Sequence, residues 1–262
     1  MNQMTPPDLV ATSLEDGLFT ITLGNGKAHP LSMAMIRAVH SAVDTARADD
    51  AARVILLHGP GPIFCAGHDL KEINRHADDP DQGVAFLGEL FDACADMMLS
   101  MATSPKPVIA LIEGIATAAG CQLAATAHLA FASDAARFQL PGVNNGGFCT
   151  TPSVGVSRSV SRKHLMELAL SGEMLNTDWA LRAGLVNRVY PADRVVEEAT
   201  TFARTLAGRN PGPIQRGIET INAHQPMGLE DAYGMARDVM ISHFQDPYRR
   251  ERAAQSKFAA KG

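Results

Sequence analysis

An α/β core followed by a helical C-terminal part is the architecture this sequence predicts. Three observations carry it. Two apolar runs, Val54-Ile55-Leu56-Leu57-His58 and Val108-Ile109-Ala110-Leu111-Ile112, each lead into a loop of small residues that opens a helical pattern. Strand-like and helical stretches alternate along the first two thirds of the chain, as when helices cover a mainly parallel sheet. From Ser161 onward helical patterns dominate. With 262 residues, 46% of them hydrophobic, the chain can bury one large core. No break in composition marks a second independent domain. Residues 1–200 read as the core that carries the site, and 201–262 as a helical region attached to it.

In order, Leu9 to Leu14 and Leu18 to Leu23 read as two strands of a hairpin, with Glu15-Asp16-Gly17 as the turn. Ser32 caps a helix in which Met35, Ile36, Val39, Val43 and Ala46 recur at helical spacing. The strand at Val54 follows, then the turn Gly59-Pro60-Gly61-Pro62. His76 to Gln82 is polar and reads as a loop. Val84 to Ala102 carries a long helical pattern, ended by Pro105 and Pro107. After the strand at Val108, His128 to Ala132 reads as a strand and Phe138 to Pro141 as a short extended piece. Gly142 to Thr151 is rich in Gly and Asn and reads as a loop. Arg162 to Leu170 is helical up to Gly172, Thr177 caps the next helix, and Leu185 to Tyr190 reads as the last strand. Helices are expected over Ala192 to Ala207, Pro213 to Ala223 and Leu229 to Gln245, with one more after Pro247.

A net charge of −5 and a pI near 6 argue against a general nucleic-acid binder. The ~18-residue apolar run of a membrane span is missing. The start, Met1 to Pro7, lacks the basic-then-apolar order of a signal peptide. Cys65, Cys94, Cys121 and Cys149 form no C-x-x-C pair and read as reduced thiols of a cytoplasmic protein. No GxGxxG follows a strand, Gly155-Val156-Ser157-Arg158-Ser159 misses the last glycine of GxSxG, and no zinc spacing occurs. Neither a metal nor a separate cofactor is expected.

The two strand-to-helix loops aim backbone N–H groups outward, where they bind an anion or an oxygen on which charge develops. Taken singly, small residues after a strand also serve close helix–strand packing. Taken together, they resemble one family. Phe64-Cys65-Ala66-Gly67-His68-Asp69-Leu70-Lys71 is similar to the F-x-A-G-x-D-[IL]-K signature of the enoyl-CoA hydratase/isomerase (crotonase) superfamily. Gly114-Ile115-Ala116-Thr117-Ala118-Ala119-Gly120-Cys121-Gln122-Leu123 resembles its second signature, G-x-x-x-G-G-G-x-[DE]-[LI]. Leu170 to Glu173 and Ala180 to Val186 resemble two further strings. The likeness covers nearly the whole chain. Within the family, Ala66 to Glu72, Thr117 to Leu123 and Pro141 to Pro152 resemble the group called enoyl-CoA hydratase domain-containing protein 3.

The resemblance implies a spiral of ββα turns with C-terminal helices that mediate trimerisation, as a trimer or a dimer of trimers. It implies an acyl-CoA thioester as ligand, with coenzyme A as part of the substrate, and a role in fatty acid metabolism. Neither a nucleic acid nor a membrane is an expected partner. Backbone N–H groups of His68 and Ala119 would hold the thioester carbonyl and stabilise an enolate, each such bond being worth roughly 3 kcal/mol in the transition state. The two catalytic glutamates of hydratases fall on Gln122 and Gly142, neither of which can carry a proton near neutral pH. Two-glutamate hydration is thereby put in doubt, although Gln122 could orient a water. Around the coenzyme the resemblance places Lys27, Ala28, Ala66, Gly67, Asp69, Leu70, Lys71 and Gly120, with Phe258 and Lys261 from the tail; Asn144 and Asn145 face the acyl group. Asp69 also reads as a helix cap, Glu113 as structural, and the His68 ring either titrates in the site or packs aside. Three readings stay open: a lyase or isomerase with altered acid/base groups, a decarboxylase or thioester hydrolase, and a non-catalytic acyl-CoA binder.

Overall fold

A computed structural model describes residues 9–255 of the chain; Phe258 and Lys261 lie outside the described residues. The hairpin is β1 (Val10–Glu15) and β2 (Leu18–Leu23), joined by Asp16 and Gly17 at φ 50° and 82°, the left-handed pair that a two-residue turn needs. Ser32 caps α1 (Met33–Ala48), its hydroxyl accepting from the Met35 amide. Then follow β3 (Val54–Gly59), β4 (Ile63–Cys65), α2 (Leu70–Arg75) and α3 (Val84–Ala102). The next turn is β5 (Val108–Ile112), β6 (Ile115–Thr117) and α4 (Ala119–Thr126). After it come β7 (Leu129–Ser133), β8 (Arg137–Gln139), a 3-10 turn (Pro141–Asn145), α5 (Thr150–Val156), α6 (Arg162–Ser171) and β9 (Leu175–Asn176). The chain continues with α7 (Thr177–Ala183), β10 (Arg188–Tyr190), α8 (Val195–Ala207), α9 (Pro211–His224), α10 (Leu229–Gln245) and α11 (Pro247–Gln255).

The strands form two sheets. The larger runs β1-β2-β3-β5-β7-β10 and is parallel from β2 onward; the smaller runs β4-β6-β8-β9. Three successive turns, β3-β4, β5-β6 and β7-β8, each lay a strand in the large sheet, a short strand in the small one, and then a helical segment. This is the ββα spiral that the resemblance implied. The three-residue strands of the small sheet are too short to show alternation, so sequence reading left β4 and β6 inside loops and found β8 only as an extended piece from Phe138.

Parallel strands covered on both faces are apolar throughout. All five residues of β5 are buried, and successive ones face opposite ways. Val108, Ala110 and Ile112 join the main core with α1, α3 and α4; Ile109 and Leu111 join a second core with Leu56, Phe131 and the Ala199 and Ala203 face of α8. Residue 200 therefore falls inside a helix packed on the sheet. Beyond it, α9 and α10 pack on each other and leave Ile221, Leu229, Met240, Ile241 and Phe244 exposed.

Three local readings change. The Gly142 to Thr151 loop holds the 3-10 turn, started by Pro141, and the first turn of α5. The cap before α7 is Asn176, whose side-chain oxygen accepts from the Trp179 amide at 3.0 Å; Thr177 is the first helical residue. The last strand begins only at Arg188, because Asn187 bonds both backbone groups of Ala130 through its own N–H and its Oδ1. All four cysteines are free and buried. Among the described residues no helix is long and apolar enough to cross a membrane.

Candidate active site

The two signature loops meet at the carboxyl ends of β4 and β6. Leu31 holds the first: its N–H donates to Gly67 O at 2.8 Å, and its carbonyl accepts from Asp69 N at 3.1 Å. In such a parallel bridge the intervening residue turns its own N–H away, so the His68 amide points off the bridge and makes no bond to protein among the described residues. The second loop ends at Ala118, whose N–H donates to Gln139 O and whose carbonyl accepts from Gln122 N. Ala119 is the first residue of α4, and its amide is one of the orphan donors of a helix start.

Glycines let the loops approach. Gly67 has φ 83°, and a Cβ on it would lie 2.9 Å from Ala118 Cβ and 3.1 Å from Ala119 N. A Cβ on Gly120 would stand 2.0 Å from Cys65 O, so α4 rests directly on β4. The strain falls on Ala118, at φ 51° and ψ −122°, a conformation that side chains rarely adopt. Ala119, the first residue of α4, is ordinary helix.

A cavity of about 480 Å³ opens in front of these amides. His68, Ala66, Leu70, Ala118, Ala119, Gly142, Asn145 and Cys149 line it, as do Ile73, Phe91, Phe148 and the start of α5 from Thr150 to Pro152. Only His68 and Cys149 among these can titrate, and both are held neutral. Burial lowers the His68 imidazole from 6.5 to about 4; the ring stands edge-on to Phe91 at 5.2 Å, and its Nε2 has no hydrogen-bond partner among the described residues. Burial raises the Cys149 thiol, against the opposing effect of the Gly142 N–H that donates to its Sγ at 3.2 Å. Among the described residues no carboxylate lines the cavity. The backbone amides of His68 and Ala119 share the cavity with the polar side chains of Asn145, Thr150 and Thr151.

The two positions expected to carry glutamate in hydratases are accounted for separately. At Gly142 a Cβ would lie 2.5 Å from Cys149 N and 2.7 Å from Phe148 C, so backbone already fills the place of a side chain. Gln122 is 6% exposed and lines a second cavity, between α3, α4 and α5; its Oε1 has no hydrogen-bond partner among the described residues.

The expected coenzyme contacts divide. Asp69 caps α2, its Oδ1 accepting from the Lys71 and Glu72 amides. Lys27 and Lys71 are exposed, with no ion pair among the described residues. The Ala28 carbonyl accepts from the Ala66 amide at 2.9 Å and so ties the two loops together. Asn144 is not in the cavity wall: its Nδ2 donates to Gly172 O at 2.8 Å, fastening the 3-10 turn to the end of α6. Glu113 bonds His58 Nε2 at 2.5 Å, a tie between the ends of β3 and β5. Sequence reading missed Ile73, Phe91 and Phe148. Their only signal is that Phe91 and Phe148 are large apolar groups left 38% and 47% exposed, which needs the fold to be seen.

The spiral of ββα turns defines the fold class, that of the crotonase fold. A family model described as Enoyl-CoA hydratase/isomerase matches residues 13–260, and the chain belongs to that family. The chain is 36% identical over 238 residues to enoyl-CoA hydratase domain-containing protein 3, mitochondrial, of Rattus norvegicus, covering 90% of this chain and 78% of the relative. It is also 36% identical over 229 residues to the Homo sapiens protein of that name, covering 87% and 74%. Among solved structures, an enoyl-CoA hydratase/isomerase family protein from Silicibacter pomeroyi is 53% identical with a TM-score of 0.87, over 91% of this chain and 100% of that one. Human enoyl-CoA hydratase domain-containing protein 3 is 34% identical with a TM-score of 0.86, over 91% and 93%. The group likeness read from three strings of sequence thus extends over 87–91% of the chain.

Proposed function

We propose that this protein binds acyl-CoA thioesters and polarises the thioester carbonyl between the His68 and Ala119 amides, as an enzyme that stabilises a thioester enolate. The observation that carries this reading is the pair of unpartnered N–H groups at one cavity. Coenzyme A enters as part of the substrate, with no other cofactor. The exposed Lys27 and Lys71 are the cations assigned to its phosphates. Family membership favours enoyl-CoA chemistry of the hydratase/isomerase type.

A second reading has its own support. The neutral, carboxylate-free wall favours a reaction that needs the oxyanion site without an acid/base pair. Decarboxylation fits, because loss of CO2 leaves the electron pair of the broken bond on the enolate and requires no base. A panel of crotonyl-, malonyl-, methylmalonyl- and saturated acyl-CoA separates the readings by which member is consumed. A thioester hydrolase would consume the saturated ones, and a pure binder none. Failure to bind any of them at millimolar concentration would refute the proposal.

Assembly as a trimer or dimer of trimers belongs to the same proposal, supported by the exposed apolar side chains of α9 and α10. So does a cytoplasmic, reducing location, supported by four free thiols; the word mitochondrial in the relatives' names describes those proteins.

A further inference from the structure

An enolate held between the His68 and Ala119 amides becomes a product only when its α-carbon takes up a proton. We propose that the Cys149 thiol supplies it: Cys149 is the proton donor to the α-carbon of the thioester enolate and, in the reverse direction, the acceptor of an α-proton. This rests on the enolate reading of the first cavity and adds the residue that completes the reaction.

The fold puts a thiol at the right place. The Gly142 N–H donates to Cys149 Sγ at 3.2 Å, and the backbone of Phe148 and Cys149 stands where a Gly142 side chain would begin. Sγ is thereby fixed beside the position expected to carry a glutamate in hydratases, in the wall of the cavity that the two amides face. Of the four cysteines, Cys149 is the one that lines this cavity. Its proton is uncommitted. Cys65 donates its S–H to His29 O at 3.3 Å, whereas Cys149 Sγ only accepts among the described residues.

Chemistry selects Cys149 from its neighbours. Asn145, Thr150 and Thr151 share the wall, but an amide and two hydroxyls are far weaker acids than a thiol. The His68 imidazole, with its pKa lowered to about 4, carries no second proton at neutral pH. Burial raises the Cys149 thiol, so its proton is present and ready at neutral pH. The Gly142 N–H opposes that rise by stabilising the thiolate that proton transfer leaves behind. In the step itself the S–H bond breaks and its electron pair stays on Sγ. The enolate electron pair forms the new Cα–H bond, the carbonyl is restored between the two amides, and water returns a proton to Sγ. With a malonyl-type thioester the enolate pair comes from the bond broken to release CO2. With a saturated thioester the reverse step, removal of an α-proton by the thiolate, exchanges that proton with solvent.

The test is exchange of the α-protons of butanoyl-CoA in D2O by the full chain, followed by mass spectrometry, with binding measured by calorimetry. The natural chain should exchange them faster than the free thioester does. Cys149→Ser and Cys149→Ala should each slow exchange about 100-fold or more, the range of a general acid or base. Both variants should still bind butanoyl-CoA, which shows that they are folded. Serine keeps the size of the side chain and an acceptor for the Gly142 N–H, so its loss reports the acidity of the group and not its packing. A natural chain that binds butanoyl-CoA without exchanging its α-protons overturns the inference and leaves the acyl-CoA reading intact. Exchange as fast in either variant as in the natural chain also overturns it. No binding of any thioester by the natural chain refutes the acyl-CoA reading itself.

Discussion

Gly142 and Cys149 are locked together: the Gly142 N–H donates to Cys149 Sγ at 3.2 Å, and a Cβ on Gly142 would lie 2.5 Å from the Cys149 amide nitrogen. The position that holds an acid/base glutamate in hydratases is thus closed by backbone. Gly142→Glu should destabilise the protein by about 1–3 kcal/mol, as overpacking does, and should not raise hydration of crotonyl-CoA. Thermal unfolding and a hydration assay check both parts. A stable variant with faster hydration would mean that the loop yields and the place is open.

Gln122→Glu should not restore hydration either, because this side chain lines the α3/α4/α5 cavity. The carboxyl would be desolvated, with its pKa raised. The expected outcome at neutral pH is a loss of about 1–3 kcal/mol in denaturant unfolding, eased as pH falls and the carboxyl protonates. Hydration rising tenfold or more would contradict this placement.

Ala118→Gly tests the strained turn. Ala118 holds φ 51° and ψ −122°, a geometry that costs of order 1–3 kcal/mol in a residue with a Cβ. Glycine removes that cost and adds about 0.5–1 kcal/mol of chain entropy. A net gain of about 1 kcal/mol is expected, read as a higher Tm. A lower Tm would show that the Ala118 methyl packs to more effect than its backbone strain costs.

These three residues also show what the sequence disclosed. The paired loops were legible because close backbone approach demands small residues such as Gly67 and Gly120 at fixed places, while His68 and Ala119 were singled out by the family resemblance alone. The alternation of strands with helices was legible because buried β3 and β5 are continuous apolar runs. The closure at Gly142, the strain at Ala118 and the facing of Gln122 were not. Each depends on what another segment places opposite it, and a single chain position carries no mark of that. Asn144 misled for a similar reason: it lies in the right loop, but a carbonyl at Gly172 claims its amide.

His68 should make the protein sensitive to acid. Its imidazole pKa is lowered from 6.5 to about 4 by burial. Between those values the unfolded chain binds a proton that the folded one refuses. The stabilisation is complete above pH 6.5 and is lost as pH falls through this window, by up to about 3 kcal/mol. His68→Gln should flatten the fall in unfolding free energy between pH 6.5 and 4. Equal slopes for the two proteins would mean that the ring is charged or solvated in the folded state.

The infrared band of a 13C-labelled thioester carbonyl, recorded free and bound, reports directly on the two amides. Octanoyl-CoA labelled at its carbonyl carbon should show the band shifted to lower frequency on binding, because two N–H donors from His68 and Ala119 draw charge onto the oxygen. Neutral side chains around the site should leave that shift the same from pH 6 to pH 8. A bound thioester whose carbonyl band stays where it is in water would contradict the assignment of these amides as the oxyanion site.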